Sequence, residues 1–368
     1  MINTFQVSGF KRFFSEEFTF SPLTILAGLN GSGKTSVIHS LLLAREACIG
    51  AADTTIRLNG PFGIELGAAE EVRNWYAGEN IEFRLSTHSG GDFLWEFAVP
   101  SDDALYLNVI SKPRLPPAAF TAAPRTFSYL CAERLGPRNI LSSSPLPIEF
   151  LEVGHRGEYC AQLLAALGNR PLENDARLHP DREQNSPTLL KYEVERWLGE
   201  IARPIELDAE RYPGSSMTAL RYRAPGGDWV RAPNMGFGVS YALPIILAGL
   251  IAKPGGLIVV ENPEAHLHPA GQSRMGVFLA WLSSRGVQIL VETHSDHVLN
   301  GIRRAIGEYK YLDHDKAVAI FFGLDSESKL VLHHLKFTPM GGVSNWPSGF
   351  FDQYQIDVSS LGRVRRRV

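Results

Sequence analysis

One segment near the start of the chain constrains the fold more than any other. An apolar run, residues 23–27, leads into Gly28-Leu29-Asn30-Gly31-Ser32-Gly33-Lys34-Thr35, after which apolar residues recur at helical spacing. This pattern, G-x-x-x-x-G-K-[ST], is typical of the turn between a buried strand and a helix that binds phosphate groups. The sequence therefore predicts a strand, a phosphate-binding loop and a helix in that order, as in an α/β fold.

The residue types of this loop suit a polyphosphate. Its glycines allow a tight turn whose backbone N–H groups face inward, where the positive end of the helix dipole also acts. Lys34 is predicted to contact the outer phosphates, and the Thr35 hydroxyl to bind Mg²⁺. A glycine-rich turn with an incidental lysine is the alternative. The predicted nucleotide-binding residues are Gly28, Asn30, Gly31, Ser32, Gly33, Lys34, Thr35 and Ser36.

Composition sets few limits on function. The 368 residues are 44% apolar and carry a formal net charge of −3, so the chain as a whole does not indicate a nucleic-acid partner. Its three cysteines are far apart and form no C-x-x-C pair, which favours a reducing compartment without a zinc site. The first residues, Met1-Ile2-Asn3-Thr4-Phe5, lack the charged and then apolar profile of a secretory signal, and no uncharged apolar run reaches about 18 residues. We expect a cytoplasmic protein with no membrane partner.

Two acidic residues follow a second buried run in the last third of the chain. Residues 257–260 are apolar and lead into Glu261-Asn262-Pro263-Glu264. Carboxylates at a strand end can hold hydrated Mg²⁺ beside a phosphate loop, so Glu261 is predicted to be a metal-side and catalytic residue. Glu264 is predicted to accept a proton from the attacking water. A solvated pair of carboxylates is the alternative.

Histidines mark the next candidate positions. The apolar run 287–291 ends in Glu292-Thr293-His294-Ser295, and ligands bind at such strand exits in open α/β sheets. His294 is therefore predicted to bond a terminal phosphate or to position water; a satisfied surface histidine is the alternative. His266 and His268 lack a third metal ligand nearby, so a turn that contacts a neighbouring subunit is preferred to a metal site.

Three further features leave alternatives open. Residues 234–240 form a glycine-rich turn before an apolar helix; such a turn can direct N–H groups at an anion, but it also commonly precedes a core helix. Arg134 and Arg138 suit either a phosphate or partner-subunit contact or surface salt bridges. The arginines within residues 363–367 could attract phosphate backbones, although a flexible solvated terminus is preferred.

The remaining pattern predicts a head with an insertion. Residues 1–50 and 231–352 are assigned to the head, and residues 51–230 to an inserted α+β subdomain that recognises a partner or substrate. Residues 353–368 form a basic C-terminal tail. An N-terminal hairpin delivers the chain to the phosphate loop, so we expect the nucleotide site at the edge of a mixed sheet. No heptads are sustained, which excludes a long coiled-coil arm.

Taken together, these motifs resemble the ATP-binding-cassette ATPases of the RecF, SMC and OLD type. The opening Phe10-Lys11-Arg12-Phe13 is similar to the start of those heads, and Trp346-Pro347-Ser348-Gly349-Phe350-Phe351-Asp352 resembles the branch with the domain of unknown function 3696. The resemblance is good over residues 1–45 and 231–352. It implies a P-loop NTPase fold, in which a mixed central sheet is flanked by helices.

The resemblance also implies an assembly. Such heads dimerise face to face around two ATP molecules, and each phosphate loop is completed by the partner's turn, here Gly236, Gly238 and Ser240. It implies that Glu261 is the metal-side acid and His294 the switch histidine, with residues 266–269 at the dimer interface.

Two departures from the family pattern bear on hydrolysis. Asn262 stands where the family has its catalytic Glu, which leaves Glu264 as the nearest substitute. Met235-Gly236-Phe237-Gly238 replaces the Leu-Ser-Gly-Gly-type signature. These departures predict slow hydrolysis, with ATP acting mainly as a clamp.

These expectations combine into one hypothesis. The chain is an Mg²⁺-dependent ATPase whose ATP-driven homodimer, or a larger assembly, controls a separately encoded effector or DNA, as resembling proteins do in DNA repair and anti-phage defence. An ATP-gated scaffold with negligible hydrolysis is the alternative. A small-molecule kinase is disfavoured because the late histidine strand and the long separation of the motifs do not suit it.

Overall fold

The computed structural model describes the chain in five stretches, residues 1–50, 54–78, 80–212, 214–325 and 329–365. The strands, in chain order, are β1 Ile2–Phe10, β2 Phe13–Thr19, β3 Leu23–Gly28, β4 Thr55–Arg57, β5 Asn80–Thr87, β6 Asp92–Ala98, β7 Tyr106–Ser111, β8 Phe127–Leu130, β9 Leu141–Ser142, β10 Glu206–Arg211, β11 Met217–Arg223, β12 Val230–Arg231, β13 Leu257–Glu261, β14 Gln288–Glu292, β15 Ala317–Leu324 and β16 Leu330–Lys336. The helices are α1 Lys34–Ile49, α2 Ala69–Val72, α3 Cys160–Leu167, α4 Leu190–Ile201, α5 Phe237–Ile251, α6 Pro269–Ser284, α7 Asp296–Gly307 and α8 Gln353–Arg365.

A six-stranded sheet, which we call the core sheet, positions the phosphate loop. Its order is β16-β15-β3-β14-β13-β8. Strand β3 pairs in parallel with β15 on one side and β14 on the other. The phosphate loop therefore leaves the middle of the sheet. The expectation of a site at a sheet edge is wrong, because the N-terminal hairpin β1–β2 belongs to a different sheet.

That second sheet, the N-terminal sheet, has the order β2-β1-β5-β6-β7-β4 and is antiparallel. Helix α1 packs between the two sheets: Ile38 and Leu41 share one hydrophobic cluster with Phe5 of β1 and Phe322 of β15. Helices α5 and α6 pack on the opposite face of the core sheet, and α3, α4 and α7 belong to the same hydrophobic cluster. Both faces of the core sheet are thus buried, as is usual for parallel strands, and β13 and β14 are buried along their whole length.

Residues 51–230 contribute to several layers. Strands β4 to β7 extend the N-terminal sheet, whereas β8 pairs in parallel with β13 at the edge of the core sheet. Strands β9 to β12 form a small separate sheet. The structure therefore builds part of this segment into the sheets of the head, and the limits of an inserted subdomain stay a prediction.

The C-terminal residues include a helix where a flexible tail was expected. Helix α8 extends to Arg365, and the Ile356 N–H donates to the carbonyl oxygen of Asp352 at its first turn. Arg366 and Arg367 lie outside the described residues, and the possible contact of this end with phosphate backbones stays untested. No helix in the described stretches has the length and apolar character needed to cross a bilayer. Cys48, Cys131 and Cys160 are free thiols.

Lys11 ties the β1–β2 turn to helix α1. Its ammonium nitrogen lies 3.1 Å from Nδ1 of His39, which is one turn beyond Thr35 on the helix. Burial, together with the positive charge of Lys11, lowers the pKa of His39 to about 3. His39 is therefore neutral at ordinary pH and accepts a hydrogen bond from Lys11.

We predict that mild acid destabilises the fold through His39. The unfolded histidine takes up a proton near pH 6.5 and the folded one only near pH 3, so the free energy of unfolding should fall as pH decreases through this range. Urea unfolding at several pH values measures this free energy of unfolding. A His39→Gln variant should show a flatter pH dependence, whereas His88→Gln, at an exposed position, should retain the wild-type slope. Equal slopes for wild type and His39→Gln would contradict the prediction.

Candidate functional site

The phosphate loop connects β3 to α1 through glycines with positive φ. Gly28, Gly31 and Gly33 have φ angles of 142°, 71° and 110°. Gly28 also allows a close approach, since a Cβ there would lie 2.6 Å from the carbonyl oxygen of Phe322. Within the described stretches, the backbone N–H groups of Gly33, Lys34 and Thr35 donate to no protein acceptor. The start of α1 therefore presents free donors for an anion.

Lys34 folds back across this loop. Its ammonium group donates to the carbonyl oxygens of Gly28 and Leu29 at 3.1 and 2.8 Å, and its side chain is only 3% exposed. Burial lowers the pKa of Lys34, and the Glu292 carboxylate, 3.9 Å away, acts in the opposite direction. The positive charge is thus held inside the turn of the loop.

The other loop residues differ in exposure. Asn30 is exposed, and Ser36 is half-buried. Ser32 is buried, and its hydroxyl finds no hydrogen-bond partner among the described residues. An unsatisfied buried hydroxyl is costly, so a ligand oxygen at this loop would satisfy it.

Glu292 places a carboxylate on the phosphate loop. Its two oxygens lie 3.1 and 3.0 Å from the Thr35 hydroxyl, which donates to them. Glu292 ends β14, and β14 pairs directly with β3, so the pairing brings the residue to the loop. Burial, reinforced by the charge of Glu261, raises the pKa of Glu292 to about 7.

Sequence reasoning missed Glu292. The available signal was the same as for Glu261, an acid that ends a buried apolar run. The sequence pattern could not show the order of the strands, in which β14 lies between β3 and β13.

Glu261 lies one strand further from the loop. Its carboxylate accepts hydrogen bonds from the Tyr129 hydroxyl at 3.1 Å and from the Ala132 N–H at 3.0 Å. It pairs in register with Glu292, and burial raises its pKa. The structure therefore brings Glu261 and Glu292 to adjacent strand ends, and the metal-side role of Glu261 stays a prediction.

Glu264 joins the ends of β13 and β14. Its carboxylate accepts from the Thr293 hydroxyl and from the His294 N–H, both at 2.8 Å. An ionised carboxylate has about four acceptor sites, so it retains capacity for a water molecule. His294 is exposed, but part of its side chain is shielded from water. This partial burial and the charge of Lys34 lower the pKa of His294. Glu264 and His294 thus lie at the strand ends next to Glu292, and their catalytic roles stay predictions.

The glycine-rich turn opens α5. Gly236 has a φ of 86° and no atom within 4 Å of the place where a Cβ would lie, so the turn is open on that side. A Cβ on Gly238 would lie 3.0 Å from the carbonyl oxygen of His266, and the His266 ring packs against the ring of Tyr241 at 4.4 Å between centroids. Ser240 is half-buried on the first turns of α5. The turn thus packs against the His266 turn, and it also contacts Arg203, whose guanidinium group lies 3.9 Å from the Met235 sulfur.

His266 and His268 therefore have local roles in the structure. His266 has a φ of 61° and stacks on the turn that opens α5. The Nδ1 atom of His268 accepts from the Ala270 N–H at the start of α6. Neither observation tests the predicted place of this turn at a dimer interface.

Arg134 fits neither of its predicted roles. It is 2% exposed, and its guanidinium group donates to the carbonyl oxygens of Cys131, Glu261 and Asn262 at 2.8, 2.6 and 2.6 Å. It is therefore a buried clamp on the turn that follows β13, and it acts on backbone oxygens rather than on a carboxylate or a phosphate. Arg138, by contrast, is exposed.

A cleft of about 1010 Å³ is connected to the phosphate loop through one of its lining residues. Its wall includes Arg12, whose guanidinium group donates to the carbonyl oxygen of Gly31 at 2.6 Å. Trp75, 78% exposed, lines the same cleft together with Asn59 and Leu105. An exposed aromatic ring in such a cleft can stack on a planar base.

We predict that Arg134→Ala lowers the free energy of unfolding by about 2–4 kcal/mol, because three carbonyl oxygens lose a charged donor. Urea unfolding measures this loss. Arg134→Lys should recover only part of it, since an ammonium group cannot reproduce the fork geometry of the guanidinium. Arg138→Ala is the matched control and should change stability by less than about 0.5 kcal/mol. Equal losses for Arg134→Ala and Arg138→Ala would contradict the clamp.

Two solved structures share this fold. One is an Smc head bound to the C-winged helix domain of ScpA, which matches at 14% identity with a TM-score of 0.50 and covers 91% of this chain and 98% of that one. The other, from Pyrococcus furiosus, is an Smc head domain with an extended coiled coil bound to the C-terminal domain of ScpA; it matches at 12% identity, TM-score 0.51, over 99% of each chain. At these identities the likeness shows the fold alone. It confirms the predicted P-loop ATPase head with a mixed sheet flanked by helices.

Family comparisons divide the chain into two matched regions. No curated protein matches it. The family described as "Protein of unknown function (DUF3696)" matches residues 314–361, in agreement with the resemblance of the C-terminal segment. The family described as "AAA domain, putative AbiEii toxin, Type IV TA system" matches residues 23–300, which include the phosphate loop and the strand ends at Glu261 and Glu292. Since this match spans most of the chain, the protein belongs to that family of AAA domains and is a P-loop ATPase-type protein of AAA/SMC-like fold.

Proposed function

We propose that the protein is an Mg²⁺-dependent ATPase head that dimerises on ATP and thereby controls a partner. The observation that carries the proposal is the convergence at one sheet end of free N–H groups, the buried Lys34 ammonium, and the Thr35 hydroxyl bonded to Glu292. Donors and a positive charge suit the phosphates, and oxygen ligands suit the cation.

The residues present fit both ligands. The free N–H groups at the start of α1, the Ser32 hydroxyl and Lys34 are donors that would hold the phosphate chain. The Thr35 hydroxyl and the carboxylates of Glu292 and Glu261 are hard oxygen ligands of the kind Mg²⁺ prefers. When bound, Mg²⁺ would neutralise charge on the phosphate oxygens during transfer to water.

The polar groups at the strand ends would act on the attacking water. Glu264, held by Thr293 and the His294 N–H, would accept its proton. His294 would bond the terminal phosphate or orient that water. Asn262 stands where the resembling ATPases have their catalytic Glu, and it offers no carboxylate there. Turnover is therefore expected to be slow. The nucleoside would extend into the cleft beside Arg12 and Trp75.

We also place a dimer interface at the turn that opens α5. Gly236 is open to solvent, and Gly238 and Ser240 are its neighbours, so a second head could present these residues to the phosphate loop. The two similar Smc heads are bound to ScpA, which supports a separately encoded protein partner. We propose a role in anti-phage defence or DNA repair, with DNA as a second candidate partner.

We predict that Lys34→Ala abolishes ATP-dependent phosphate release and that Glu264→Gln lowers it by about 100-fold, as for loss of a general base. Release of inorganic phosphate from purified protein with ATP and Mg²⁺ measures both. Glu308→Gln, at an exposed helix end, is the control and should keep wild-type turnover.

Gel filtration of Glu264→Gln with and without ATP and Mg²⁺ tests assembly. We expect a dimer only with both. Dimerisation of wild type without phosphate release would support the ATP-gated scaffold instead. If the protein neither binds nucleotide nor releases phosphate, both functions are refuted.

We predict that Trp75→Ala weakens ATP binding by about 5- to 100-fold, the loss expected for one base–aromatic stack. Binding of inorganic tripolyphosphate should not change, because it has no base. Tyr76→Ala is the matched control, since Tyr76 is 88% exposed and does not line the cleft. Calorimetric titration measures each affinity. If Trp75→Ala weakens the binding of ATP and of tripolyphosphate equally, Trp75 does not bind the base.

A further inference from the structure

We propose that a cavity at the C-terminal end of α5 binds a small apolar carboxylate, such as a medium-chain fatty acid, and that Arg170 pairs with its anionic group. The cavity has a volume of about 320 Å³, and no residue of the phosphate loop lines it. Helix α5 has 15 residues, so its two ends lie about 20 Å apart, and the glycine-rich turn is at the other end. The proposed site is therefore separate from both the nucleotide site and the proposed dimer interface.

The first support is the apolar lining of the cavity. It comes from the end of α3, the loop that follows, the start of α4 and the end of α5. Four leucines in it are at most 7% exposed, namely Leu167, Leu172, Leu190 and Leu250. Ligand pockets are mostly apolar and have volumes of about 300–1,000 Å³. The volume of this cavity is near the lower limit, which favours a small ligand.

The second support is the contrast between the interior and the mouth. The exposed residues of the described lining are Arg170, Pro171 and Glu173, whereas Ile251 is half-buried. A protein-binding face usually presents an exposed apolar patch, which this lining does not have. A recessed apolar cavity with charged groups at its mouth suits instead a ligand with an apolar body and a charged head.

The third support is the charge at the mouth. The Glu173 carboxylate already has two cationic partners, because it accepts from the Lys253 ammonium at 2.6 Å and from the Arg125 guanidinium at 3.1 Å. Arg125 also donates to two carbonyl oxygens. Among the described residues, the Arg170 guanidinium makes no hydrogen bond and no ion pair. An anionic head group would supply its missing partner, and a guanidinium binds a carboxylate well.

The fourth support is that backbone hydrogen bonds hold the cavity wall in place. The Leu172 N–H donates to the carbonyl oxygen of Thr188 at 2.8 Å, and the Leu190 N–H donates to the carbonyl oxygen of Arg170 at 3.0 Å. These bonds tie the loop after α3 to the start of α4. The cavity is thus formed without a ligand, and binding needs little ordering of the chain.

The test is a calorimetric titration of the whole chain with hexanoate, octanoate and decanoate, and with 1-octanol as an uncharged probe. We expect the affinity to rise about 4-fold for each added CH₂ group, the gain for burying one methylene, until the chain fills the cavity. Octanoate should bind more tightly than 1-octanol, because only octanoate carries a partner for Arg170.

Two variants locate the ligand. Arg170→Ala should weaken octanoate binding by about 3- to 10-fold, the loss expected for an ion pair at a water-exposed rim, and leave 1-octanol binding unchanged. Arg114→Ala is the matched control, since Arg114 is exposed and does not line the cavity. It should keep both affinities. Ile251→Trp adds bulk to the wall and should weaken both ligands, while thermal unfolding reports whether the variant is folded.

Several results would overturn the proposal. Wild type might bind no octanoate, or bind the three acids with equal affinity; Arg170→Ala might weaken octanoate and 1-octanol equally, or no more than Arg114→Ala does; a folded Ile251→Trp might bind both ligands as wild type does. Lys34→Ala should bind octanoate like wild type, because the cavity does not involve the phosphate loop. The outcome is therefore independent of whether the protein binds ATP.

Discussion

The contact between Thr35 and Glu292 is the constraint on which the candidate site depends. It joins the first turn of α1 to the end of β14, two parts of the chain far apart in sequence. Lys34 is buried in the same place, where the loop carbonyls and this carboxylate lie around its charge. A buried ammonium without such partners would be strongly unfavourable. The phosphate loop and β14 therefore stabilise each other, and a ligand that binds there must exchange its own oxygens for theirs.

Hydrogen bonds also hold the backbone that follows β13. Arg134 satisfies the carbonyl oxygens of Glu261 and Asn262, and Glu264 satisfies the hydroxyl of Thr293 and the N–H of His294. Asn262 adopts a φ of 44°, an unusual conformation for a residue other than glycine, which this network maintains. Hydrogen-bond networks of this kind rigidify a site, although the Nε of Arg134 and the Oδ1 of Asn262 are buried without a partner among the described residues.

The middle of the chain, which shows no chemical motif, completes the acid-bearing end of the core sheet. Strand β8 pairs with β13 and supplies Tyr129, and the loop after it supplies Ala132 and Arg134. The same segment extends the N-terminal sheet, which covers α1. An account of residues 51–230 as only a recognition module would omit these contributions.

The sequence by itself determined the local features: the glycine turn at Gly28–Thr35, the helix that follows it, the buried strand runs and the polar residues that end them. These depend on local backbone conformation and on side-chain periodicity, which a short window contains. Tertiary structure decided which strand end meets the phosphate loop, and it placed Glu292 rather than Glu261 on Thr35. It also buried Arg134. Strand order and the burial of a charged side chain such as Arg134 arise from pairing between distant segments, for which neighbouring residues carry no signal.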